Sequence, residues 1–220
     1  IYTYSESIRK ALRNFAKEGI KTVNYVSGVS LTIESAIRRD VVTRVNKLVG
    51  DCEIEHAKEL DTNLVYVDQH LGARIRTKYM KHDYEAHDEW QGKKYMIVGS
   101  NEEYPNLYEK TGYGEMLGLK GINCYHHMRP TWEWEKIPDR IDEIENKERY
   151  ELLQRQREYE RNIRGLKRAR LIAKETDDNE HLSKVNKKMK VVNMNFDNWL
   201  EKHKLTRDYN REYLTDGKWL

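Results

Sequence analysis

From about Arg140 to about Lys174 the chain contains no proline and a single glycine, Gly165. A run this long, built mainly from Glu, Arg, Lys and Leu, has few ways to fold other than as a long α-helix. Leu152, Tyr159, Ile163 and Leu166 mark a narrow apolar stripe along it. Thr176-Asp177-Asp178-Asn179 reads as a turn, and a second helix is expected from about Glu180 to His203. There Leu182, Val185, Met189, Val192, Phe196 and Trp199 recur at spacings of 3, 4, 3, 4 and 3, which makes one apolar face. Two helices joined by so short a turn predict an antiparallel hairpin, packed on itself or on a neighbouring chain. The closing residues, with Tyr209, Tyr213 and Trp219, read as a tail that docks on something.

The stretch from His70 to Pro130 has the opposite character. Seven of the twelve glycines lie in it, so tight turns dominate. Leu64-Val65-Tyr66-Val67 is short and β-branched, and predicts a strand. Lys94 to Val98 predicts another, ended by Gly99. Ile75 to Ala86 reads as a long loop. Upstream, Ser5 could cap a helix to about Lys17, with Gly19 as its stop. A second helix is expected to begin at Ser30 or Thr32 and to end at Gly50. Ile33, Ile37, Val41, Val45 and Leu48 lie along one side of it, with Arg38, Arg39, Arg44 and Lys47 on the solvated remainder. Asp51 then reads as the cap of a short third helix to about Leu60.

These elements give an α+β class: a small, turn-rich central α/β unit flanked by N-terminal helices and a long C-terminal helical hairpin. The expected boundaries are 1–62, an N-terminal helical segment; 63–136, the central α+β domain; and 137–220, the hairpin and tail. Charged residues make up 35% of the chain, which favours extended, solvated helices around a modest core. A net charge of +3 excludes a globally basic nucleic-acid binder, so any basic surface must be local. Two cysteines form no disulfide framework and fit a reducing compartment. No apolar run has transmembrane length. The first residue is Ile rather than Met, so further sequence is expected upstream.

Three constellations carry chemistry. His70, His87, Cys124 and His126 are candidate zinc ligands, because imidazole nitrogen and thiolate sulfur are the donors zinc takes. No CxxC pair accompanies them. Spacing alone favours histidines that hydrogen-bond backbone in a loop-rich core. Cys124 with a neighbouring histidine could also make a nucleophile–base pair, but no orienting group or general acid/base pair of carboxylates stands out. No P-loop, dinucleotide fingerprint or zincin motif is present. Arg157, Arg161, Arg164, Lys167 and Arg168 form a basic stripe that could meet DNA phosphate, an acidic protein surface, or only solvent. Trp90-Gln91-Gly92-Lys93 reads first as a buried tryptophan followed by a turn into the next strand. Gly112-Tyr113-Gly114 reads as a structural turn.

Taken in order, His70 with Gly72-Ala73-Arg74, His87-x-x-Trp90-Gln91-Gly92-Lys93, Tyr104-Pro105, Thr111-Gly112-Tyr113-Gly114, Gly118-Leu119, Gly121-x-Asn123-Cys124-x-His126 and Pro130 resemble the tailed-phage minor capsid protein 2 family, within the phage head-morphogenesis minor proteins. The basic helix from Gln154 and the Ala36-Ile37-Arg38-Arg39 helix are similar too, so the resemblance covers nearly the whole chain. It departs at two points. Twelve residues separate Arg74 from His87, where the family often has Pro-Ser-His soon after Gly-Ala-Arg. Lys120 stands where a cysteine is often found. The resemblance implies a virion protein of the head interior or portal vertex, synthesised in the host cytoplasm. Its implied partners are portal protein or major capsid protein, with packaged DNA as a further one, and its implied role is head assembly, DNA packaging or DNA ejection. The rival expectation is a metal-dependent or Cys/His-based hydrolase or transferase packaged in the virion and delivered with the DNA.

Overall fold

The structure, a computed structural model, describes residues 21–24 and 30–214. The helix expected over residues 5–17 and Trp219 lie outside them. The described residues fall into two compact units. One spans 37–153, and the other comprises those up to Ala36 together with those from Gln154 onward. Strands β1 (Lys21–Asn24) and β2 (Ser30–Thr32) pair antiparallel, with Lys21 opposite Thr32 and Asn24 opposite Ser30. Sequence reading missed this pairing. Helix α1 (Ile33–Glu59) follows at once.

Helix α1 corrects two expectations. It runs unbroken through Gly50, so there is no separate helix capped by Asp51. Gly50 is not a stop but a point of close approach. A Cβ there would meet the Tyr113 hydroxyl at 2.7 Å and Lys120 Cγ at 2.9 Å. Just past its end at Glu59, Asp61 adopts a φ of 53° and turns the chain back. The apolar side that sequence assigned to α1 is not covered: Ile37, Val41, Val45 and Leu48 are 58%, 53%, 54% and 64% exposed.

The sheet of the 37–153 unit is small and wholly antiparallel. β3 (Leu64–Val67) is central, flanked by β4 (Lys93–Met96) and β5 (Met128–Thr131). All four β3 residues are buried, as its β-branched run predicts for a central strand. β4 stops two residues short of the expected end, and Val98 is exposed. β5 escaped the sequence reading because Pro130 sits inside it. A proline is tolerated only where a ladder can spare an N–H, as an edge strand can. Ile54 and Ala57 of α1, Val65 and Val67 of β3, and Trp90, Tyr95, Leu119, Cys124 and Met128 share one core.

Between the strands the chain turns repeatedly. Asp83–Glu85 forms one 3-10 turn and His87–Trp90 the short helix α2. Asn106 caps α3 (Leu107–Thr111), its Oδ1 accepting from the Tyr108 and Glu109 N–H groups at 2.9 and 3.2 Å. The chain then folds backbone on backbone: Leu119 N–H donates to Thr111 O at 2.9 Å and Gly114 N–H to Leu119 O at 3.0 Å. At Gly118 a Cβ would drive into the Gly112 carbonyl, so only glycine permits this approach.

Helix α4 (Glu143–Glu175) begins in the 37–153 unit and continues into the second unit, where α5 (Asn179–Lys202) follows. The ends agree closely with the expected hairpin. Asp142 caps α4 through Ile144 N–H and Glu145 N–H, and Asp178 caps α5 through His181 N–H. The predicted stripes meet. Leu166 and Ala169 pack with Val185, and Ile163 with Phe196 and Leu200. Tyr159 stacks on Phe196 with ring centres 4.8 Å apart. The tail does dock: Tyr209 and Tyr213 stay exposed, but Lys167 of α4 lies over the Tyr213 ring. Arg207 fixes it further. Its Nε and Nη2 grip the buried Glu212 carboxylate at 2.6 and 2.8 Å, and its Nη1 reaches Asp197 at 2.6 Å.

Candidate metal centre

Three segments of the 37–153 unit deliver the histidine–cysteine group. His70 lies just beyond β3, His87 opens α2, and Cys124 and His126 lead into β5. Antiparallel pairing sets the exit of β3 beside the entry of β5, since Val67 pairs with Met128. His70 and His126 therefore become neighbours although 56 residues separate them. Their ring centres are 4.4 Å apart.

His87, Cys124 and His126 each offer a ligand atom, and these atoms all lie within 4.8 Å of one another. The three residues are 2%, 1% and 2% exposed. The Trp90 ring walls the group, 4.6 Å from the His87 ring and 4.7 Å from that of His126. Trp90 is itself pinned by its Nε1–H to Tyr84 O at 2.8 Å, and Tyr95 OH donates to Trp90 O at 2.6 Å.

Hydrogen bonds to oxygen acceptors set the tautomers. His87 Nε2–H donates to Leu117 O at 2.9 Å, so Nδ1 carries its lone pair. His126 Nε2–H donates to Gln91 Oε1 at 3.0 Å, and its lone-pair Nδ1 faces Cys124 Sγ at 3.6 Å. His70 Nδ1 contacts Leu71 O at 3.3 Å, while its Nε2 is buried without a hydrogen-bond partner. Burial strips hydration from any charge placed here. It lowers His87 to about 3, with Arg74 adding repulsion. It holds His126 well below the usual imidazole range, with His70 and His87 next in effect. It pushes the Cys124 thiol up. Burial therefore favours the neutral forms of His87, Cys124 and His126, whose nitrogen and sulfur atoms are the donors zinc takes.

The supporting shell was only partly visible in sequence. Gln91 Oε1 also accepts from His70 N–H at 3.0 Å, so one side chain ties two of the histidines together. Arg74 holds the 117–122 loop by its guanidinium, donating to Leu117 O at 2.9 Å and Ile122 O at 2.5 Å. Asn146 was missed. It is fully buried, accepting from Gly72 N–H and Ala73 N–H and donating to Ala73 O. The signal available for it was a polar residue seven positions before Leu153, on the face where Leu153 lies against Gly72. Lys120, at φ 62°, is buried and meets Glu53 of α1 at 2.7 Å. Gly92, at φ 70°, turns the chain from Gln91 into β4 at Lys93. Gly112 ends α3 in the left-handed region, and Tyr113 donates its hydroxyl to Asp51 at 2.7 Å. Gly114 follows in the same left-handed region.

The basic residues of α4 do not form one uniform face. Arg161 is exposed. Arg157, Arg164, Lys167 and Arg168 are half-buried. Arg164 donates to Arg211 O, and Lys167 to Glu212 O at 3.0 Å while lying over the Tyr213 ring. A surface cleft lined by Asn63, Met96, Tyr104, Trp132 and Trp134, among others, includes none of the metal-site candidates. No described helix is long and apolar enough to cross a membrane.

Known proteins are similar to this sequence over half of its length or more. A structural protein of Lactococcus phage LL-H is 26% identical over 219 residues, covering 96% of this chain and 56% of that protein. This chain thus spans little more than half of that relative. A structural protein of Lactococcus phage mv4 is 31% identical over 119 residues, covering 53% of this chain and 96% of that protein. No solved structure matches. Residues 1–201 match the family described as phage minor capsid protein 2, with the ordered motifs from His70 to Pro130 inside the match, and the chain belongs to that family.

Proposed function

We propose that the protein is a minor structural component of the tailed-phage head, placed in the head interior or at the portal vertex. In this reading it supports head assembly, DNA packaging or DNA ejection through contacts with portal protein or major capsid protein. The observation that carries the reading is the uncovered apolar side of α1 in a chain of a minor capsid family. Ile37, Val41, Val45 and Leu48 are spaced 4, 4 and 3, so they line one side over three turns. A contiguous exposed apolar strip marks an interaction surface. These side chains are already partly covered, so burying the rest contributes about 1–2 kcal/mol each before the costs of association.

Two other readings have less support. DNA contact through α4 would draw on Arg164 and Lys167, which already hold the tail segment. A Cys/His enzyme would need Cys124 to meet substrate, yet its thiol is buried and pushed away from ionisation.

The test is complementation of a phage lacking this protein by the Val41→Asp/Val45→Asp double variant. Both positions are solvent-facing, so the isolated variant keeps its stability to within about 0.5 kcal/mol. It should be missing from purified heads. Incorporation at the normal level would remove α1 from the assembly reading. Particle reconstruction against the portal ring then separates a portal partner from a capsid one.

A further inference from the structure

We propose that His70, His87, Cys124 and His126 hold one zinc ion in a closed structural site that staples together the three loop segments of the 37–153 unit. This inference does not depend on where the protein sits in the head.

His87, Cys124 and His126 have ligand atoms within 4.8 Å of one another, and the His70 ring lies beside them, its centre 4.4 Å from that of His126. Each ring already commits one nitrogen to an oxygen: His87 to Leu117 O, His126 to the Gln91 side chain, and His70 to Leu71 O. That is the outer arrangement metal-bound histidines need, because it fixes ring and tautomer and leaves the other nitrogen for the ion. The remaining lone pairs are His87 Nδ1, His126 Nδ1 and His70 Nε2. The last is the telling one. A buried ring nitrogen with no hydrogen-bond partner is rare, and His70 Nε2 is one of two such side-chain atoms among the described residues. A cation beside it would supply the missing partner.

The donor set selects the ion. One sulfur and two imidazoles in the tight group, with His70 as the third imidazole beside them and no carboxylate in the group, suit zinc and exclude calcium or magnesium, which take oxygen. Binding releases the Cys124 thiol proton to solvent, so the site gains one ion and loses one proton. All four positions come from protein, which leaves no open place for a reacting water. The consequence is structural: apart from α2, α3, β4 and one 3-10 turn, the 60 residues between Val67 and Met128 lack regular structure. Zinc would tie the start, middle and end of that excursion together.

The experiment uses the full chain, purified without chelator. Elemental analysis should find about one zinc per chain. Replacement by cobalt(II) should produce the visible bands of a tetrahedral site and a thiolate-to-cobalt charge-transfer band, and Cys124→Ser should abolish the latter. If Cys124→Ser does not fold, His70→Gln carries the test, since His70 lies at the half-exposed margin of the group. Competition with a chelator should show zinc held at least tenfold more weakly in that variant. Gln91→Leu, which removes the acceptor for His126, should weaken zinc about 10–100-fold. Wild-type protein that takes up less than about 0.1 zinc per chain after reconstitution overturns the proposal. So does stoichiometric zinc that all three substitutions leave unchanged.

Discussion

Asn146 joins α4 to the turn that precedes Arg74, and its loss can be worked through bond by bond. The side chain is 1% exposed. Its Oδ1 accepts from Gly72 N–H at 2.9 Å and Ala73 N–H at 3.0 Å, and its Nδ2 donates to Ala73 O at 3.2 Å. Asn146→Ala removes all three. Gly72 is half-buried and its N–H can turn to water. Ala73 is buried, so its N–H and C=O lose their partner with no replacement. Each unsatisfied buried group costs about 1–3 kcal/mol, and the recoverable Gly72 bond adds little. The expected loss is therefore about 2–6 kcal/mol, a large share of the roughly 5–15 kcal/mol that holds a domain together. Urea titration followed by circular dichroism measures it. At roughly 3 °C per kcal/mol, the thermal midpoint should fall by about 6–18 °C. Hydrogen exchange gives the local readout, because the Ala73 amide should lose protection before the β3 amides do. A loss below about 0.5 kcal/mol with Ala73 still protected would refute the reasoning, since a surface change costs no more than that.

Two further substitution pairs are informative. Glu53→Ala leaves the buried Lys120 ammonium without the carboxylate at 2.7 Å, at a cost of about 3–5 kcal/mol by urea titration. Lys120→Met should cost clearly less, because Glu53 is nearer solvent and keeps the Met128 N–H at 3.1 Å; equal losses would contradict this asymmetry. On α4, Arg161→Glu should leave thermal stability unchanged, whereas Arg164→Glu should lower it by releasing the Arg211 carbonyl. If Arg161→Glu lowers DNA retention in particles, DNA returns as a partner of this helix.

What was legible in sequence follows the range of the interactions involved. The two long helices were readable to within about three residues, because helical periodicity is a local property and both have capping aspartates at hand. β3 was readable because a buried central strand needs a run of β-branched and aromatic residues. β5 was not, since Met128-Arg129-Pro130-Thr131 carries no such pattern and becomes a strand only by pairing with β3. Gly50 is the sharpest case. Read locally, a glycine after an apolar run ends a helix. Its actual reason lies in Tyr113 and Lys120, 63 and 70 residues further on, whose side chains occupy the space a Cβ would fill.

The same division runs through the candidate site. The residue types were readable, because imidazole and thiolate declare their chemistry wherever they stand. Their convergence was not, because it depends on β3 and β5 being neighbours in the sheet, and β5 was the strand that sequence concealed. Once Val67 pairs with Met128, His70 must lie near His126, and Gln91, at the start of the return into β4, is carried to both. Lys120 shows how such a frame absorbs a change. It takes a left-handed backbone, and its buried ammonium is tied to Glu53 of α1. The loop thus keeps an anchor at that position while His87, Cys124 and His126 keep their ligand atoms within 4.8 Å of one another. The position of the cluster is set by strand order, and the orientation of its histidines by the oxygen atoms that hold one nitrogen of each ring.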